Sequence, residues 1–292
     1  MSVPPEAAHC LDSLKTGNFP LSVRENFKYL SHPVWAWVKI KTIISMTVFP
    51  QSHAIKRNFM KRMLMLLFAS AAILGGCASP QKMAFDRNAT AIDTSAKSVV
   101  LLAVDVSRED ESRWQPDPKV LYVEMPNAKS AEERLNYPLS VDDDRFVVGK
   151  DNVFLVRMAL APGDYDLKGI FGLASAFPIN GYFFVPLTGS LKVQPQSVQY
   201  AGRIKAVMRP RKEGEFRAGP PTPILDQAIS GMTRSTWDVS VLDQMANDVA
   251  LFEDKFPAVK TVKVVKNMLP PFDREAVQKA WVAAQGPNYK GD

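Results

Sequence analysis

From Val99 to Met208 the chain is built of short runs of β-branched and aromatic residues, each cut off by Pro, Gly, Asn or Asp, a pattern that admits strands and leaves no room for long helices. The runs are 99–106, 120–125, 146–148, 153–160, 165–171, 182–193 and 198–208. In Asp164–Phe171, Tyr165, Leu167, Gly169 and Phe171 alternate with Asp164, Asp166 and Lys168, the period of a half-exposed strand. No helix separates the early runs, so the predicted fold is mainly β, an antiparallel β-sandwich rather than a βαβ sheet.

The period changes near the C-terminus. Leu242, Met245, Val249, Phe252 and Phe256 recur at helical spacing, as do Ala276, Val277, Ala280, Trp281 and Ala284, which predicts two added amphipathic helices. The first should end before Pro257, and Asp273 is placed to cap the second. Residues 259–265 between them read as a strand. The predicted domain covers 99–285, with a tail at 286–292; residues 77–98, polar and poor in aromatics, read as a lipidated N-terminus and tether.

Charge and residue usage narrow the function. The net charge is +6, yet residues 1–76 hold 9 Lys and Arg against 3 Asp and Glu; taken from the totals of 36 and 30, this leaves 27 of each sign from Cys77 onward. A domain that binds nucleic acid needs its basic excess in the folded part, so nucleic acid is not an expected partner. His9, His32 and His53 are the only histidines, and Cys10 and Cys77 the only cysteines. Beyond Cys77 there is therefore no Ser-His-Asp or Cys-His arrangement, no disulfide and no zinc site of nitrogen and sulfur ligands; no metal or cofactor is expected.

Residues 60–80 read MKRMLMLLFASAAILGGCASP. Lys61 and Arg62 precede an apolar run from Met63 to Leu74, which suits a translocon but is too short to span roughly 30 Å of hydrocarbon as a permanent helix. Leu74-Gly75-Gly76-Cys77 resembles the lipobox of bacterial lipoproteins. That resemblance implies a signal peptide over 60–76, recognised by its peptidase through Leu74, Gly75 and Gly76, with diacylglycerol on the Cys77 sulfur. Cleavage after Gly76 would free the Cys77 amine for a third acyl chain. One acyl chain binds a membrane marginally at about 0.8 kcal/mol per buried CH₂, whereas two or more anchor it stably. Ala78, where an inner-membrane retention signal has Asp, implies the periplasmic face of the outer membrane. The competing reading is a buried helix with a Gly-Gly cap and an inert core thiol.

Residues 1–59 precede this signal and show neither period, so they read as an upstream extension from a mis-assigned start. The alternative is a real extension in which Val34–Phe49 lies on a membrane surface. Lys39 and Lys41 argue against its spanning, at about 2.5–3.5 kcal/mol for a central lysine.

Within the domain, Leu160-Ala161-Pro162-Gly163-Asp164-Tyr165 resembles the corner of fibronectin type III and immunoglobulin-like sandwiches, where a tyrosine hydroxyl bonds back to the backbone. Four basic residues, Arg203, Lys205, Arg209 and Arg211, should share one strand face and form a patch for an anionic ligand; a solvated outer face is the plainer reading. Asp142-Asp143-Asp144 lacks the spacing of a calcium loop and reads as a solvated hairpin. Residues 177–186, with four aromatics and an Asn180-Gly181 turn, read as core or as a binding loop. The function expected is a lipid-anchored binding or envelope-assembly module, with the membrane, envelope proteins or glycans as partners. The alternative is a histidine-free hydrolase using paired carboxylates on envelope glycans.

Overall fold

A computed structural model describes residues 79–149, 151–220 and 228–285. By its internal contacts the chain divides after Cys77, and the unit described is the one that begins at Ala78. The sequence features at Cys77, Leu74, Gly75 and Gly76, the segments 1–59 and 60–76, and the tail 286–292 lie outside the described residues. Among the described residues no helix is long and apolar enough to cross a membrane.

The unit is mainly β, with two sheets and two helices. In chain order the strands are β1 (Ser79–Pro80), β2 (Ser98–Arg108), β3 (Asp117–Glu124), β4 (Arg134–Pro138), β5 (Arg145–Val148), β6 (Asp151–Leu160), β7 (Gly163–Ala176), β8 (Ile179–Val193), β9 (Val198–Pro210), β10 (Ser235–Leu242) and β11 (Val264–Lys266). The helices are α1 (Met245–Lys255) and α2 (Arg274–Gln285). One sheet runs β1-β4-β3-β7-β8 and the other β10-β9-β2-β6-β5, with β11 also on β9.

Strand β2 explains the layering. Its sequence is a continuous apolar run rather than an alternating one, because both of its faces are buried. Val100, Leu102 and Val104 join the larger core, which draws Leu121 and Val123 from β3, Ile170 from β7 and Phe183 and Val185 from β8 as well as Phe154, Val156 and Met158 from β6. Val99, Leu101 and Ala103 point the other way, into a second cluster with Val153, Leu155, Val198, Phe85, Phe252, Phe256 and Val259. At about 25 cal/mol per Å² of apolar surface, the second cluster alone gives α1 reason to lie on the sheet.

The predicted antiparallel pairing holds for most neighbours but not for the centre of the second sheet, where β2 and β9 are parallel. Between them the chain crosses to the first sheet and back twice, through β3–β4 and through β7–β8. Strand β9 carries one extra residue opposite β2 between Tyr200 and Arg203, with Gly202 at φ 112°. The bulge turns Tyr200 and Arg203 to the same side.

One further departure concerns the start of the domain. The segment expected as a tether lies on the fold instead: Ser79 and Pro80 pair with β4, Ala84 N–H donates to Arg157 O at 2.8 Å, and Phe85 is buried in the second cluster. Its polar composition hid one aromatic anchor. At the far edge, Phe184 N–H donates to Ala218 O at 2.8 Å while Ala218 N–H donates to Ser235 O at 2.7 Å, so one residue ties β8 of one sheet to β10 of the other. Helix α2 closes the same side: Asp273 Oδ1 accepts from Ala276 N–H at 2.8 Å as its cap, and Val277 and Trp281 enter the larger core.

Candidate functional site

Inward-facing Ile204, Ala206 and Met208 leave Arg203, Lys205 and Arg209 on the opposite face of β9, as the alternation predicts; Arg211 stands just past the strand end at Pro210. Each of the three strand cations meets a carboxylate of the same chain. Arg203 donates through Nε to Asp248 Oδ1 at 3.0 Å and also through Nη2, while the Tyr200 hydroxyl donates to Asp248 Oδ2 at 2.5 Å. Asp248 and Tyr200 are fully buried and Arg203 nearly so. Burial, together with that acceptor, pushes the Tyr200 hydroxyl well above the ordinary tyrosine range.

Lys205 Nζ lies 3.9 Å from Asp105 Oδ2 and remains substantially exposed. Asp105 itself is 1% exposed, and its Oδ1 has no hydrogen-bond partner among the described residues. Burial raises its carboxyl above the usual range, and the charge of Asp151 adds to the rise.

Arg209 donates from Nη1 and Nη2 to the two oxygens of Glu215 at 2.8 and 2.7 Å, and from Nε to Asp238 at 2.7 Å. Arg274 of α2 reaches the same two acids at 2.8 and 3.2 Å. The hydrogen bonds from Arg209 hold the Glu215 carboxyl down to about 2 and drive the Arg209 guanidinium up. Arg211 Nη1 donates to the Glu215 carbonyl at 2.8 Å. The face expected to attract anions is therefore a lattice of internal ion pairs joining β9, β10, α1 and α2, and an incoming anion would have to compete with fixed carboxylates.

A second buried pair was not anticipated. Arg157 of β6 and Asp144 are each 3% exposed and joined at 2.7 Å. Arg157 Nε donates to Phe85 O at 2.9 Å, Nη1 to Leu155 O, and the guanidinium lies 3.9 Å over the Phe256 ring. Asp144 also accepts from Ser140 N–H at 2.7 Å. The acid read as part of a solvated hairpin is thus the counter-charge of an arginine that holds Phe85, and Phe256 at the end of α1, against β6. Asp143 accepts from the Ser140 hydroxyl, and Asp142 O from Arg87. Among the described residues no group of three or more acidic, histidine or cysteine side chains is disposed to hold a metal.

The aromatic run divides by face. Phe183 and Val185 point into the core, while Tyr182 stacks with Phe171 at 6.2 Å and Phe184 meets Tyr122 at 6.3 Å on the outer side. The turn falls at Phe177-Pro178, not at Asn180-Gly181, which lie within β8; Phe177 at its tip is 97% exposed.

The described concavities are an apolar crevice lined by Leu167, Leu187, Leu269 and Phe272 and an open depression around Glu215, Arg274 and Gln278. The first holds no carboxylate; the second is lined by Glu213, Glu215 and Glu275, of which Glu215 is bound to Arg209 and Arg274. Comparison with protein-family models, with curated proteins and with solved structures gives no match for this chain.

Sequence reasoning missed Asp105, Asp248 and the Arg157–Asp144 pair. The first two left a trace: Asp105 interrupts an apolar run, and Asp248 sits three residues after Met245 and four before Phe252, on the helical stripe that packs.

Proposed function

We propose that this chain is the precursor of a bacterial lipoprotein, cut after Gly76, acylated on Cys77 and held at the periplasmic face of the outer membrane. There a β-sandwich with two amphipathic helices packed on it acts by binding or envelope assembly rather than catalysis. The observation that carries the reading is a coincidence of two boundaries. The signal features end at Cys77, and the compact unit begins at Ala78, the next residue. A mature chain starting at Cys77 would keep every strand described.

The sandwich reading is supported by a core shared between the two sheets and by the Ala218 bridge across their edges. The likeness to an immunoglobulin-type corner is supported by Tyr165, which is buried and whose hydroxyl meets the Ala161 backbone. The choice against catalysis is supported by the commitment of Asp144, Glu215 and Asp248, each bound to an arginine within the fold. For the competing hydrolase, Asp105 feels the charge of Asp151, yet Asp105 is shut away beneath Lys205, whereas a general acid must reach its substrate.

Metabolic labelling of expressing cells with a palmitate analogue tests the anchor. The native chain should take up label and sediment with envelopes, and Cys77→Ser should lose both. A Cys77→Ser chain that still matures and sediments like the native one refutes the proposal.

A further inference from the structure

The strands give the domain two distinct ends. Strands β2 and β9 begin at one end, where the Gln194–Ser197 turn and the Ala161-Pro162 turn also lie. The β7–β8 hairpin runs from that end to Phe177 at the other, a length of roughly 40 Å at about 3.3 Å per residue less twist. Chain entry belongs to the first end. Ser79 is level with Leu135, hence with Val123, Leu167 and Gly189, and β1 runs from there toward the Phe177 end. Cys77 precedes Ser79 by two residues, a reach of about 7 Å at most.

That same end carries exposed lysines. Lys97 leads into β2 and Lys263 into β11, one on either side of the start of β9, so their backbones are separated by about two strand spacings, ~10 Å. Lys192 joins them through a connected set of bonds: Asn267 Nδ2 donates to Lys192 O at 2.9 Å and to Gln199 Oε1 at 2.5 Å, and Gln199 Nε2 and the Ser98 hydroxyl both donate to Gln194 O, at 2.9 and 2.5 Å. Asp164 stands opposite Lys192 in the β7–β8 register, and Lys266 is paired with Asp243. Lys97 and Lys263 make no ion pair among the described residues.

We infer that this lysine-bearing end is the membrane-facing surface of the anchored domain, seated on anionic phospholipid headgroups of the bilayer that holds the acyl chains, with the Phe177 tip directed away from it. The inference rests on the lipid-anchor reading. It follows from two independent features, the absence of slack between Cys77 and β1 and the positive charge at that end. A folded-back 79–97 segment cannot act as a spacer, so the acylated residue brings the adjoining end to the headgroups, where lysines are attracted over about a Debye length.

The acylated protein, reconstituted in phosphatidylcholine vesicles with or without phosphatidylglycerol, provides the test. After processing, Cys10 is gone and Cys77 is a thioether, so an introduced cysteine is the sole free thiol. A fluorophore on Pro195→Cys should transfer energy to a lipid-borne acceptor several-fold better than one on Phe177→Cys when phosphatidylglycerol is present. Lys97→Gln, Lys192→Gln and Lys263→Gln together, or about 0.5 M salt, should narrow that difference. Equal or reversed transfer from the two positions, or a triple variant that behaves as the native protein, overturns the inference while leaving the anchor intact. A chain that carries no acyl group and does not sediment with vesicles refutes the anchor, and the inference falls with it.

Discussion

Replacing Asp144 by Asn should be among the most damaging conservative changes in this protein, because it removes the one carboxylate bonded to a buried guanidinium and leaves only the unbonded attraction of Asp143. Arg157 is 3% exposed, and burial alone already lowers its affinity for the proton, an effect that Asp144 opposes. Its other partners are the neutral carbonyls of Phe85 and Leu155 and the Phe256 ring, none of which balances a full charge. Removing one member of such a buried pair costs about 3–5 kcal/mol. With a urea slope of about 2 kcal/mol/M, the unfolding midpoint should fall by roughly 1.5–2.5 M. Trp237, fully buried in the larger core, reports the transition by fluorescence. The double change Asp144→Leu with Arg157→Met should cost clearly less than Asp144→Asn, since no buried charge remains, although it forfeits the bonds to Ser140 N–H and Phe85 O at about 1 kcal/mol each. Hydrogen exchange should show the loss first in residues 79–92, which the pair fastens. An Asp144→Asn protein within about 1 kcal/mol of native, or a double variant worse than either single change, refutes the reasoning.

Other changes test other parts of the fold. Asp105→Asn should stabilise the protein at pH 7 by about 1–2 kcal/mol, because a buried carboxylate with one unpaired oxygen is replaced by a neutral amide. The sign follows from the raised carboxyl: the native protein gains from the protonated form below about pH 4 and loses that gain as pH rises through the raised value, so the advantage of Asn should vanish in acid, as thermal melts at pH 3.5 and 7 would reveal. Gly172→Ala should destabilise by about 1–3 kcal/mol, since a Cβ there would stand 2.2 Å from Phe183 Cζ and 2.5 Å from the Asp117 carbonyl; an unchanged melting temperature would contradict the packing described.

The strands most legible in the sequence are those whose burial shows as pattern. Alternation located β7 and β8, and the continuous run of β2 reflects burial on both faces. Strand β10 alternates as well, with Trp237, Val239 and Val241 toward the core, yet its serines, threonine and aspartate masked it. Strand β4 is only five residues long, ends in proline and was missed for that reason. The segment 79–97 was misjudged because composition averages over residues, whereas docking rests on Phe85, the smaller contacts of Met83, Ala84, Ala89 and Ile92, and a few backbone bonds. Candidate cations were placed on the right face of β9, but a sequence does not show that Asp248, 45 positions away, neutralises Arg203. Charge pairs between distant elements leave no local signature, and this is why a predicted anion patch emerged as a set of internal ion pairs.

The most direct test of the lipoprotein account is the mass of the N-terminal tryptic peptide from envelope-bound protein. The account predicts residues 77–82, beginning at Cys77 and ending at Lys82, heavier by diacylglycerol and an amide-linked acyl chain. A peptide that continues back through Gly76 toward Arg62, with an unmodified thiol, would contradict it.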